Sequence, residues 1–244
     1  MHGDALPPQT SASTVGAAGA GPRSAETRER LLDAAAGLFA ERGYAGTSMR
    51  AVTARAGASV SAANYHFGSK LALLHAVCER SIGPLNAARM RALDAAEQRA
   101  APASPTLEAL LDAFLRTAVQ QSSAERAEQR AVAARLYSDP PEIVSELKRD
   151  LFGPLSERMS GLLRQLFPEA PEERIALAFQ LTVGVMVHVV GGHLETSAVA
   201  VPVSSDREPV ADRMIEYCAA GIRALLVCDT SAGPHTGAMG ELDR

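Results

Sequence analysis

From Ser24 to Lys70, small polar residues and glycines cut the chain into segments that each fit one helix, which restricts the fold more than any other feature. Leu31, Ala35, Leu38 and Phe39 recur at i, i+4, i+7 and i+8, with Arg28, Glu29, Arg30 and Glu41 off that stripe. The pattern predicts an amphipathic helix of about 18 residues, stopped at Gly43. Thr47 or Ser48 caps a second, shorter segment that runs to Ala56 and ends at Gly57. Ser59 caps a third that runs to Phe67, and Ser69 caps a fourth beginning at Lys70. Three helices therefore fall within some fifty residues, with Val52 and Ala56 facing their common centre.

Beyond Lys70 the helical pattern continues. Helices are expected over Lys70–Ser81, with an interruption at Gly83-Pro84 and a polar, Ala-rich continuation to Ala101. Further ones cover Thr106–Gln121, Ala124–Ser138, Glu142–Phe167 with a bend at Gly153-Pro154, Pro171–Gly192, and Pro209–Cys228. Ala, Leu and Val dominate, aromatics are only 4% and Trp is absent, so the core is aliphatic and the class is all-α. Residues 1–23, rich in Pro, Gly, Ser and Ala, read as a disordered tail, and 229–244 as a second flexible tail. The reading is thus a three-helix unit over 24–70 and a helical body over 71–228.

Net charge is −4, which speaks against a nucleic-acid partner only while it is left undivided. Arg23 to Lys70 holds seven basic residues against four acids, a net of +3, and the remainder carries −7. A basic unit of that size suits a phosphate backbone. Cys78, Cys218 and Cys228 are too few and too scattered for a disulfide scaffold or a Cys-rich zinc site. They read as buried free thiols in a reducing cytoplasm. The N-terminus lacks a continuous apolar run, so no secretion is expected. The longest apolar run, Ile175–Gly192, includes Gln180, Thr182 and His188 and reads as a buried interface helix rather than a membrane span.

Two short helices joined by a tight glycine-containing turn make a helix-turn-helix, whose second helix can enter the DNA major groove. The stretch Thr47–Lys70 fits, with small Ser61, Ala62 and Ala63 allowing close approach to base edges. Together with Arg28–Tyr44 before it, Gly46-Thr-Ser, and Asn64-Tyr-His-Phe-Gly-Ser-Lys70, it resembles the tetracycline-repressor (TetR) family over residues 24–75. The Asn-Tyr-His-Phe-Gly-Ser-Lys variant with a long helical body also resembles the subgroup with a CecR/YbiH-like, DUF1956-type C-terminal domain. The resemblance implies a homodimer on palindromic double-stranded DNA and a helical body that binds a small-molecule effector.

Carried over residue by residue, it implies a DNA-binding set of Thr47, Ser48, Arg50, Ser59, Val60, Ser61, Ala62, Asn64, Tyr65, His66 and Lys70. Thr47 and Ser48 would offer hydroxyls and backbone N–H groups to a phosphate, or cap the helix, or both. Arg50 is a phosphate or flanking-base candidate, equally an ordinary solvated arginine. The family often has Lys or another polar residue where Val60 stands. Apolar Val60 and Ala62 would favour thymine methyls, leaving Ser61 and Asn64 for polar readout. Tyr65 and His66 contact phosphate or brace the helix, with packing preferred for His66. Lys70 is a phosphate ligand by resemblance.

In the body, the helix over 175–192 and the last helix, with Val210, Met214, Tyr217, Cys218, Gly221, Ile222 and Leu225 at three- and four-residue steps, suit a four-helix dimer interface. A monomeric bundle would use the same stripes. Candidate effector contacts are Phe114, Arg135, Tyr137, Phe152, Met159, Phe179 and His188, with Arg135 and Arg164 available to an anionic ligand. Phe114, Tyr137, Phe152, Met159, Phe179 and His188 each read as core before ligand contact, and the two arginines are as easily solvated. His188 and His193 are five apart across Gly191-Gly192 and do not share a helix face, so no metal or cofactor is expected. No Gly-rich phosphate loop, nucleophile elbow or carboxylate pair suggests an enzyme. The leading expectation is a cytoplasmic, ligand-responsive repressor. The alternative is a small-molecule-binding helical dimer without specific DNA binding.

Overall fold

The computed structural model describes residues 22–120, 131–132, 141–191 and 208–227. Among them there are helices and no strands. In chain order they are α1 (Pro22–Arg42), α2 (Met49–Ala56), α3 (Val60–Phe67), α4 (Lys70–Ala100), α5 (Leu107–Leu111), a π-helical turn (Asp112–Arg116), α6 (Thr117–Gln120), α7 (Pro141–Leu166), α8 (Glu172–Val190) and α9 (Glu208–Val227). Residues 1–21 of the expected first tail, the whole of the second, the expected helix over 124–138 apart from residues 131–132, and Arg135, Tyr137, His193 and Cys228 lie outside the described residues. Pro22 and Arg23, expected in the tail, are helical. α1 begins at Pro22, two residues before the expected start.

Helices as short as α2 and α3 are unstable alone and hold only by packing. Their buried residues, Val52, Ala56, Ala63 and Phe67, meet Leu31, Leu32, Ala35, Leu38 and Phe39 of α1 and Leu73, Leu74 and Val77 of α4. Serines cap three helices in the same way. Ser48, Ser59 and Ser69 each accept a hydrogen bond from the backbone N–H three residues on, all at 3.1 Å. Gly57 closes α2 with φ +59°, a left-handed conformation that a side chain would strain. At Gly46 the constraint is space, since an added Cβ would lie 2.6 Å from the Arg42 carbonyl oxygen.

A second core is built from Leu93 of α4, Leu107, Leu110, Leu111, Phe114 and Leu115, the C-terminal half of α7 (Leu155, Met159, Leu162, Leu163), α8 and α9. Two long helices serve both cores. α4 is 31 residues, roughly 46 Å at ~1.5 Å per residue. It runs through Gly83-Pro84 without the expected interruption. Pro84 lacks the N–H of one helical bond, but Ile82 on one side and Arg89 and Leu93 on the other are buried in the two cores, which holds the helix through the proline. α7 likewise continues past Pro154. Its Val144, Leu147 and Leu151 complete the first core, and Asn86 of α4 donates to the Leu151 carbonyl at 2.8 Å. The junction at residue 70 is therefore a helix start, with packing continuous across it.

α8 is buried only in part. It is apolar around most of its circumference, yet only Ile175, Ala178, Phe179, Thr182 and Met186 are buried. Leu177 is 49% exposed and Leu181 54%. Among the described residues its buried side chains all lie on one side of the helix. α9 repeats the pattern, with Tyr217 at 71% and Val227 at 66% exposure.

Candidate nucleic-acid interface and body cavity

α3 presents Val60, Ser61, Asn64 and Tyr65 to solvent, while Ala62 and His66 are half-buried and Ala63 and Phe67 face inward. Tyr65 is 79% exposed and packs edge-on against His66, ring centres 5.3 Å apart. Ser48 and Arg50 stand exposed at the start of α2. The capping bonds use only acceptor capacity of Ser48 and Ser59, and a serine hydroxyl also carries one donor hydrogen. Capping and donation to a phosphate are thus compatible at both positions.

Two residues named with them sit differently. Thr47 is 2% exposed, and its hydroxyl lies 2.9 Å from the Gly43 carbonyl and 3.1 Å from that of Leu38. Its backbone N–H is also used, donating to Tyr44 at 3.2 Å. Thr47 thus pins the α1–α2 turn from inside. Lys70 is half-buried, donates to the Tyr44 and Thr47 carbonyls at 3.0 Å each, and sits 3.9 Å from the centre of the Tyr44 ring. Its ammonium braces the same turn. Nothing in the order of residues distinguishes this from a surface lysine, because the acceptors lie 23 and 26 residues earlier in the chain.

The charge of the N-terminal unit is also sorted by pairing. Arg28 meets Glu29, and Arg42 and Arg55 meet Glu41, Arg55 through two bonds of 3.0 Å. The Glu41 carboxyl is held below its ordinary range by the hydrogen bond from Arg55. Arg80 of α4 bridges Glu29 and Asp33. Arg50 makes no ion pair among the described residues, so its charge is directed at solvent.

In the body, Phe114, Phe152 and Phe179 line a cavity of about 280 Å³ between α4, the π-helical turn, α7 and α8. Arg89, Ser145, Lys148, Arg149, Ser156 and Gln180 supply its polar wall. Of the other expected effector contacts, Met159 is fully buried in the core and His188 is exposed and outside the wall. Arg164, the proposed anion ligand, is instead bonded through Nε and a terminal nitrogen to Glu172 at 2.8 and 3.2 Å. Arg89 is absent from the expected contacts because an interruption at Gly83-Pro84 places it in a polar, Ala-rich continuation. Its signal was an arginine on the Met90–Leu93 stripe of a continuous helix.

Helix-turn-helix geometry with an exposed second helix, joined to a helical body, defines a DNA-binding regulator. Residues 31–77 match the family described as "Bacterial regulatory proteins, tetR family". Residues 108–221 match "Tetracyclin repressor-like, C-terminal domain". The chain belongs to the TetR family of transcriptional regulators. The narrower likeness to a CecR/YbiH-like, DUF1956-type C-terminal domain gains no support from this match to the body. A helix-turn-helix regulator of Bacillus subtilis (strain 168), YerO, is 40% identical over 58 residues, 24% of this chain and 20% of that protein's length.

Solved structures share the fold at low identity. A transcriptional regulator from Pseudomonas aeruginosa PAO1 has a TM-score of 0.60 at 20% identity, covering 82% of this chain and 90% of that one. The fatty acid degradation regulator FadR from Bacillus halodurans has 0.57 at 17%, covering 84% and 99%. A TetR-like regulator from Rhodococcus sp. RHA1 has 0.51 at 22%, covering 80% and 95%.

Proposed function

We propose that the chain is a cytoplasmic homodimeric repressor that binds a palindromic operator and is released from it by a small-molecule effector. The observation that carries this reading is the double role of α7. One face, Val144, Leu147 and Leu151, completes the core beneath α2 and α3. The other, Ser145, Lys148, Arg149, Phe152 and Ser156, walls the cavity. A ligand bound there acts on the same rigid helix that supports the DNA-binding unit. Two recognition helices must reach half-sites about one helical turn apart, or a multiple of it. A small rotation of each head about α4 and α7 spoils that spacing, so effector and operator oppose one another.

In this reading Val60, Ser61, Ala62 and Asn64 face base edges, with Val60 against a thymine methyl and Asn64 suited to adenine. Ser48, Ser59, Arg50 and Tyr65 fix the register on phosphates, with His66 steadying Tyr65. Thr47 and Lys70 act indirectly, by holding the turn that aims α2. The exposed apolar faces of α8 and α9 form the dimer contact.

Selection of bound fragments from random and genomic DNA by the purified protein tests the reading. The expected result is one enriched palindrome, bound with an affinity that falls steeply with salt. Binding without sequence preference would overturn it in favour of a ligand-binding dimer that does not read DNA.

A further inference from the structure

We infer that the body cavity takes a small organic monoanion, a carboxylate carried on a compact apolar or aromatic body. This inference rests on the effector reading above and specifies its chemistry. Three of the residues lining the cavity, Arg89, Lys148 and Arg149, are cationic, and among the described residues none of the wall is Asp or Glu. The rest of a chain whose net charge is −4 is acidic, so a wall of one positive sign is a local inversion. A concave wall of one sign focuses its field on the volume it borders.

Arg89 sits deepest, at 3% exposure. Its guanidinium is oriented by the Phe114 carbonyl and the Asn86 side-chain oxygen, both at 3.3 Å, and by the Met186 sulfur at 2.8 Å. It also lies over the Phe114 ring, 4.8 Å from its centre. The Phe114 carbonyl belongs to the π-helical turn, a local departure from α-helical bonding of the kind that recurs at functional sites. Held through all three of its nitrogens, the guanidinium brings a fixed positive charge to the cavity wall, which an anion would match.

The opposite requirement, an apolar body, comes from Phe114 and Phe179, ring centres 5.4 Å apart at 60°, and from Phe152, Leu155 and Val183. A volume of about 280 Å³ is near the lower limit of small-molecule sites, roughly 300–1,000 Å³. That size suits a single ring or a short chain. Lys148 and Arg149 then stand nearer the mouth, on the α7 face that turns away from the DNA-binding core.

Calorimetric titration of the full-length protein with phenylacetate and octanoate, each against its neutral amide, provides the test. At least one acid is expected to bind saturably, about tenfold or more tighter than its amide. Arg89→Gln is expected to remove that preference. Because Arg89 is buried, Arg149→Gln at the exposed edge is measured beside it, with a thermal melt for each, and is expected to weaken the acid several-fold. An amide bound as tightly as its acid, an acid unaffected by both substitutions in folded protein, or saturable binding of neither acid would overturn the inference. Operator selection is independent of this titration. Sequence-specific DNA binding without acid binding sinks only the ligand class, whereas acid binding without sequence-specific DNA binding sinks only the regulator reading.

Discussion

α3 and α8 both leave large apolar side chains in water, and the contrast between them shows how to read such exposure. On α3 the exposed apolar groups are Val60, at 41%, and the Tyr65 ring, set among Ser61, Asn64 and the neighbouring Ser48 and Arg50. The helix is eight residues long and its apolar exposure is interrupted by polar groups at every turn. On α8, Leu177 and Leu181 stand one turn apart, continued by Gly184, on a helix of 19 residues. α9 adds Tyr217 and Val227 to the exposed apolar surface. A short mixed surface beside an arginine with no ion pair among the described residues suits a groove of alternating polar and methyl groups, whereas neighbouring exposed leucines on a long helix suit another protein surface.

The strongest way to break this contrast is Leu181→Glu. The side chain is exposed in the single chain, so the fold should survive. A charge in the proposed dimer contact should yield monomers in sedimentation velocity and abolish measurable operator binding. A dimer that persists unchanged would remove α8 from the interface. The α3 side is sharpened by comparing Asn64→Ala with Arg50→Ala in anisotropy titrations at several salt concentrations. Asn64→Ala should cost about 1–3 kcal/mol and relax preference at one base position. Arg50→Ala should weaken all sequences alike and reduce the salt slope by about 1. Equal effects from both would erase the division between base reading and phosphate anchoring.

The smallest expected effect concerns the start of α9. Arg116 of the π-helical turn bonds Asp112 at 2.6 Å and Asp212 at 2.7 Å, and also meets Glu208. The Glu208 carboxyl, bonded by Gln120 and then by Arg116, is held below its ordinary value of 4.5. Because the folded value is depressed, its stabilising contribution is present above 4.5 and is lost as pH falls through the lower folded value. Glu208→Gln should therefore lower the melting temperature slightly near neutrality, with the difference from the parent shrinking as pH falls below 4.5. A variant whose curve overlays the parent's throughout would show that this tether adds nothing to stability.

The helix-turn-helix was legible because its signals are local. The Ser48 and Ser59 caps, the left-handed Gly57 and the stripe Leu31, Ala35, Leu38, Phe39 each depend on residues within one or two turns. The cavity was legible only in its aromatic wall, Phe114, Phe152 and Phe179. Its cations were not, since Arg89 and Arg164 look alike in sequence, and packing sends one into the cavity and the other to Glu172. Thr47 and Lys70 carry the same lesson for the DNA-binding unit. Both have the chemistry of phosphate ligands, and both are occupied by backbone carbonyls in the turn between α1 and α2.

Composition, helical period and capping thus determined by themselves that the chain is all-α and that its first third carries a helix-turn-helix. Those properties follow from interactions a few residues apart. Tertiary structure decided that α4 runs unbroken through Pro84, because burial on both sides outweighs one missing hydrogen bond. It also decided that α7 faces both cores, and that Leu177 and Leu181 of α8 stay exposed. Each of these depends on what the rest of the chain places beside a helix, and periodicity records only that a face is apolar.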